Sequence, residues 1–167
     1  MSSTHQIPAS RIEISLKDQR LDMIRQHAQI SSWPVSTARN GAGEQSGSEQ
    51  TPRGWHRIRA MIGAECPPGA VFVGRRPTGE IWTAELGEAH PERDWILTRI
   101  LWLTGTEPGL NRGGDIDTLR RYIYIHGCPD SEPMGDPVSH GCIRMHNADV
   151  IALFDAVVPG LPVLIKD

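Results

Sequence analysis

RYIYIHG (residues 121–127) alternates without a break, with Tyr122, Tyr124 and His126 on one face and Ile123 and Ile125 on the other. A strict period of two predicts a half-buried β-strand. Outward from it the same signal recurs. In residues 11–16, Ile12, Ile14 and Leu16 oppose Glu13 and Ser15. Residues 17–20 read as a turn, 21–24 as a returning strand and 32–37 as a short third strand. Further strands are expected at 55–61, 70–73, 81–84 and 96–103, with turns at 66–69 and 77–79.

Residues 38–54 hold five Gly or Pro among Ser, Glu and Gln, and predict an exposed loop. A loop of that length inside a compact domain is usually functional or mobile, so it is expected as a rim or lid. Residues 105–117 and 127–138 are also loop-like. One helix stands out. Asn147 is a candidate N-cap, Asp149 suits the first turn, and Val150, Ile151, Phe154 and Val157 form an apolar stripe before Pro159-Gly160. Residues 162–165 follow as a buried strand. Seventeen Gly and 13 Pro in 167 residues fit a mainly β chain with many turns. The reading is a tail over residues 1–10 and one domain over 11–167.

The formal charge of −3 argues against nucleic acid or an anionic membrane surface as partner. No stretch reaches the roughly 18 apolar residues of a bilayer span. The N-terminus has no basic segment followed by a long apolar run, so a cytoplasmic location is expected, or a periplasmic one if a leader has been removed. The three cysteines, Cys66, Cys128 and Cys142, are an odd number and not a disulfide framework.

The chemistry concentrates in the His126-Gly127 end of the opening strand and in SHGCIRM (residues 139–145). A thiol attacks as thiolate, and an imidazole that takes its proton keeps the pair charged. Two histidines, His126 and His140, precede Cys142 closely in sequence, and spacing alone does not choose between them: His140 shares a face with Cys142 on an extended chain. Gly141 leaves the backbone bare for close approach, and N–H groups around Gly141 and Cys142 are placed to meet an oxyanion. The bland readings are an inert cysteine, taken for Cys66, and a zinc site of His126, Cys128, His140 and Cys142, whose single-residue spacings fit structural zinc poorly.

His126-Gly127 followed by SHGCIRM resembles the signature of the YkuD-type L,D-transpeptidases. VSTA (35–38), TPRGWHRI (51–58), DTLRRYIYIHG (117–127) and the terminal helix with PVLI extend the resemblance over nearly the whole chain. It implies a YkuD-like β-sandwich or barrel-like sheet system with a C-terminal helix and few others. It implies Cys142 as nucleophile, His126 as its base, and the Gly127 carbonyl as orienter of the imidazole. His140, Ser139, Gly141 and Tyr124 would line the site, and Arg144 would support the loop or meet a substrate carboxylate.

The substrate implied is a peptidoglycan tetrapeptide stem or soluble muropeptide cut between diaminopimelate and D-alanine. No cofactor is implied, and carbapenems are the covalent inhibitors expected. The expected role is an L,D-carboxypeptidase of muropeptide recycling. The alternatives are a cross-linking or exchanging L,D-transpeptidase and a non-catalytic or zinc-stabilised muropeptide-binding module. Cys128 stands where the family often carries Thr or another small polar residue; in a reducing cytosol it is expected to stay unbridged to Cys142.

Overall fold

The computed structural model describes residues 6–167. The first five residues of the expected tail lie outside that range. Just beyond them the Ala9 carbonyl accepts from His27 N–H at 2.9 Å and the Pro8 carbonyl from Arg11 Nη1 at 2.8 Å.

Ten strands form one connected open network: β1 (Arg11–Ser15), β2 (Arg20–Arg25), β3 (Ala28–Pro34), β4 (Gly54–Ile62), β5 (Ala70–Val73), β6 (Arg76–Ile81), β7 (Ile96–Gly105), β8 (Tyr124–Gly127), β9 (Ile143–Met145) and β10 (Pro162–Lys166). The main path runs β3-β2-β1-β10-β4-β7-β5-β6, with β8 and β9 branching from β7. The expected mainly β sheet system with few helices is thus present among the described residues, and its sheet does not close. Helix α1 (Ala84–Ala89) follows β6, and α2 (Asn147–Ala156) follows β9. No helix among the described residues is long and apolar enough to cross a membrane.

The local departures from the sequence reading have physical causes. Gly74 and Arg75 both take positive φ (56° and 65°), which makes them the hairpin turn. Pro77 and Gly79 therefore lie inside β6, tolerated because β6 is an edge strand. The strand expected at 81–84 is replaced by α1, capped by Thr83 Oγ1 accepting from Leu86 N–H at 3.1 Å. Another positive-φ pair, Gln26-His27, starts β3 at Ala28 rather than Ser32. At the opening motif Tyr122 has φ +56°, with its N–H on the Leu119 carbonyl, so a turn precedes β8 and the strand starts at Tyr124.

Alternation then sorts the residues. Ile125 of β8, Ile143 and Met145 of β9, Leu101 and Leu103 of β7 and Val150, Leu153 and Phe154 of α2 join the main core. Leu153, fully buried, takes the central place expected for Ile151, which is half-buried. Tyr124, Ile100 and Phe72 form a second, smaller cluster on the opposite face, against which Cys142 and Trp102 pack. The pleat thus separates scaffold from chemistry. Ile125→Ala, at a fully buried position between β7 and β9, is expected to cost about 2–5 kcal/mol in urea unfolding.

Candidate active site

Strands β8 and β9 pair in parallel, with Ile125 opposite Ile143, His126 opposite Arg144 and Gly127 opposite Met145. Continuing that register one step back sets Cys142 beside Tyr124. The two do touch: Tyr124 N–H donates to Cys142 Sγ at 3.3 Å, and the thiol donates to the Tyr122 carbonyl at 3.3 Å. Cys142 and His126 thus share a face as diagonal neighbours on adjacent strands, a relation that spans roughly 7–8 Å between backbones and leaves a ring within reach of a thiol.

His126 is fully buried. Its Nδ1 lies 2.6 Å from the Gly127 carbonyl oxygen. A carbonyl only accepts, so Nδ1 carries the proton and Nε2 of the neutral ring is bare. Nε2 has no hydrogen-bond partner among the described residues. Burial holds the imidazole below its ordinary pKa, against the opposing pull of the Gly127 carbonyl. Burial also pushes the Cys142 thiol up to about 12, opposed by the Tyr124 N–H. Burial thus works against both the thiolate and the imidazolium before substrate arrives. The low-dielectric surroundings penalise both ions.

Gly127 and Gly141 are each required, for different reasons. A Cβ on Gly127 would stand 2.5 Å from Asn147 Oδ1 and 2.6 Å from the Leu97 carbonyl. Gly141 has φ +134°, a conformation that L side chains rarely adopt, and a Cβ there would stand 3.3 Å from both the Gln50 carbonyl and Ile123 Cδ1. Its N–H donates to Ser139 Oγ at 3.2 Å.

Ser139 is buried and its hydroxyl donates to the Cys142 carbonyl at 2.6 Å. It shapes the nucleophile's turn and does not present a free group to substrate. His140 is exposed, unlike His126. Arg144 pairs with Asp94 at 3.1 Å, the structural alternative weighed for it. Tyr124 presents its hydroxyl to Arg75 Nη1 at 3.0 Å.

The four residues of the zinc reading do not converge. His126 Nδ1 is engaged, His140 is exposed, and Cys128 is buried with its thiol on the Met145 carbonyl. Among the described residues no group of three or more His, Cys, Asp or Glu is placed to hold a metal. Cys128 follows Gly127, whereas Cys142 lies level with Tyr124. Four residues of strand, roughly 13 Å, separate the two, beyond the roughly 7 Å Cα limit for a disulfide.

Four positioning residues escaped the sequence reading. Asn147 is not the N-cap, which is His146. Its amide donates to the Cys128 carbonyl at 2.9 Å and to Asp130 at 3.1 Å, and its Oδ1 accepts from Thr98 Oγ1, bracing the His126-Gly127 segment. Thr98 has φ +75° at the register shift where β7 passes β8, a β-bulge beside the site. Thr51, fully buried, donates to the Gly141 carbonyl at 2.9 Å. Arg121 donates to the carbonyls of Gly43, Glu44 and Gln50, the last at 2.6 Å. These last two tie the 38–54 loop down as a fixed rim. Only Thr51, in its Thr-Pro-x-Gly setting, carried a sequence signal.

A half-buried cysteine on a strand end, beside a buried histidine whose tautomer a backbone carbonyl sets, defines a cysteine enzyme of the nucleophile-and-base class. The chain belongs to the L,D-transpeptidase catalytic domain family, YkuD, whose match covers residues 9–165. It is similar to the Bacillus subtilis proteins YqjB, 51% identical over 47 residues, and YkuD, 45% identical over 47 residues. Those stretches cover 28% of this chain and 27% and 29% of the two relatives.

Among solved structures, L,D-transpeptidase 3 from Mycobacterium tuberculosis with a faropenem-derived adduct matches with a TM-score of 0.59 at 17% identity, over 96% of this chain and 61% of that one. The L,D-transpeptidase LdtMt1 with imipenem matches with 0.57 at 20% identity, over 94% and 58%. At these identities the likeness speaks to the fold. The chain spans about three-fifths of those structures' length.

Two predictions follow from the burial of these groups. His56, buried with its pKa lowered to about 4, and His126 must both fold neutral. The unfolded chain binds more protons below the ordinary histidine value of about 6.5, so stability falls as pH drops below it. Cys128 and Cys142, both raised to about 12, hold protons the unfolded chain loses, so stability also falls as pH rises from 9.0. Thermal melts across pH are expected to peak between these limits. Gly127→Ala is expected to lose about 1–3 kcal/mol through backbone displacement, read by the same melts.

Proposed function

We propose that this domain cleaves the diaminopimelate–D-alanine bond of peptidoglycan tetrapeptide stems through an acyl-enzyme on Cys142. The observation that supports it best is the bare, buried Nε2 of His126 on the face it shares with the Cys142 thiol. Substrate arrival turns the thiol from the Tyr122 carbonyl toward Nε2. The proton passes to Nε2 as sulfur bonds to the carbonyl carbon on the L-centre of diaminopimelate. The resulting imidazolium is steadied by the Gly127 carbonyl and returns the proton to the departing amine of D-alanine. The Tyr124 N–H faces the developing oxyanion.

The acyl-enzyme is proposed to be resolved by water, making the domain an L,D-carboxypeptidase for soluble muropeptides in the cytoplasm. Transfer to an amine, giving cross-links or terminal exchange, is the second reading, favoured by the description of the matched family. Carbapenems are proposed to acylate Cys142, in line with the imipenem complex of LdtMt1.

Incubation with tetrapeptide muropeptide, with and without excess D-amino acid, is the test. Tripeptide and free D-alanine are the expected products; exchanged or dimeric products establish transfer instead. Cys142→Ala is expected to abolish turnover and His126→Ala to lower it by about 10²–10⁴-fold, while His140→Ala retains most of it. A protein that releases no amino acid from any stem peptide refutes the proposal, and loss confined to His140→Ala refutes the choice of base.

A further inference from the structure

Three arginines stand on or against the segments that hold Cys142, and they are not equivalent. Arg144 is neutralised by Asp94. Arg121 spends its donors on the carbonyls of Gly43, Glu44 and Gln50 and on Ser48 Oγ. Arg75, at the tip of the β5–β6 hairpin, makes no ion pair among the described residues. Its one protein hydrogen bond there runs from Nη1 to the Tyr124 hydroxyl.

Arg75 is nonetheless held. Its guanidinium lies over the Trp102 ring at 4.7 Å and the Tyr122 ring at 4.8 Å. Trp102 meets Tyr124 edge-on with ring centroids 6.1 Å apart. Both tyrosines also touch the sulfur through their backbones, Tyr122 by its carbonyl and Tyr124 by its N–H. The result is a fixed, half-buried cation with unused donors, seated on the same aromatic residues that hold the thiol. Stacking on rings immobilises a guanidinium without consuming its in-plane donors, and the partner that matches such a fork is a carboxylate.

We propose that Arg75 is the carboxylate-reading residue of the site, binding a free carboxylate of the substrate next to the bond that Cys142 attacks. This deepens the stem-peptide reading and rests on it for the identity of the ligand. A stem tetrapeptide offers two such groups, the terminal carboxylate of D-alanine and the free carboxylate on the D-centre of diaminopimelate. Reading either one sets the register of the scissile carbonyl over the sulfur. Arg76, the next residue, is exposed and has no ion pair among the described residues, so it serves as a charge-matched control.

The test has two arms. In the first, kcat/KM is measured for the tetrapeptide, its D-alanine amide and its diaminopimelate amide. Amidation of the group that Arg75 reads is expected to lower wild-type kcat/KM by about tenfold. R75Q removes that difference, and R76Q preserves it. Equal losses for R75Q on all three peptides, or a wild type blind to both amidations, overturn the proposal.

The second arm needs no stem peptide. Alkylation of Cys142 by iodoacetate and by iodoacetamide is followed by peptide mass spectrometry, and the ratio of the two rates is compared. The ratio is expected to fall several-fold in R75Q and to stay near the wild-type value in R76Q. Equal ratios in the two variants overturn the proposal. If the wild type turns over no peptide, the proposed function fails, and this ratio still decides the role of Arg75.

Discussion

The parallel ladder between β8 and β9 is the constraint from which the site follows. Two short strands, four and three residues long, set His126 against Arg144 and bring Cys142 alongside Tyr124. Because side chains alternate, one register decision sends Ile125, Ile143 and Met145 into the main core and turns Tyr124, His126 and Cys142 to the other face. A slip by one residue would bury the thiol in the core and expose the isoleucines. The free energy that fixes the chemistry is therefore hydrophobic and lies on the face that does no chemistry.

The ladder is braced at both ends by groups that never meet a reacting atom. Asn147 and Thr98 lock the backbone behind Gly127, and Ser139 and Thr51 lock the two peptides around Gly141 and Cys142. Each substitutes a fixed protein dipole for water. The histidine gains a defined tautomer from the carbonyl of its own neighbour. That carbonyl opposes the burial that holds the imidazole below its ordinary pKa.

Much of this was legible in the chain. Apolar and β-branched runs bounded by turn residues located β1, β2, β4, β5, β7 and β10 to within a residue or two, because burial in the core selects such residues on one face or both. The His-Gly and Ser-His-Gly-Cys segments marked the site by residue type alone. What failed did so where backbone conformation overrides pattern. Tyr122 alternates correctly yet sits at positive φ, and Pro77 and Gly79 look like a turn but lie on an edge strand. Asn147 has the composition of a cap and works as a brace. The Ser139 hydroxyl is buried, and its own turn supplies its partners, a role residue type alone does not reveal. Arg75 gave no signal, since its surroundings come from β7 and β8, distant in sequence.

Arg121 grips the rim by main-chain oxygens, with one weak serine contact at 3.4 Å. Carbonyls are the same whatever residue bears them, so the clasp is indifferent to the identity of the side chains along the segment it holds. The rim is therefore a replaceable surface on a permanent clasp: its outward-facing residues can be exchanged while the strand that follows Arg121, and the histidine on it, stays where it is.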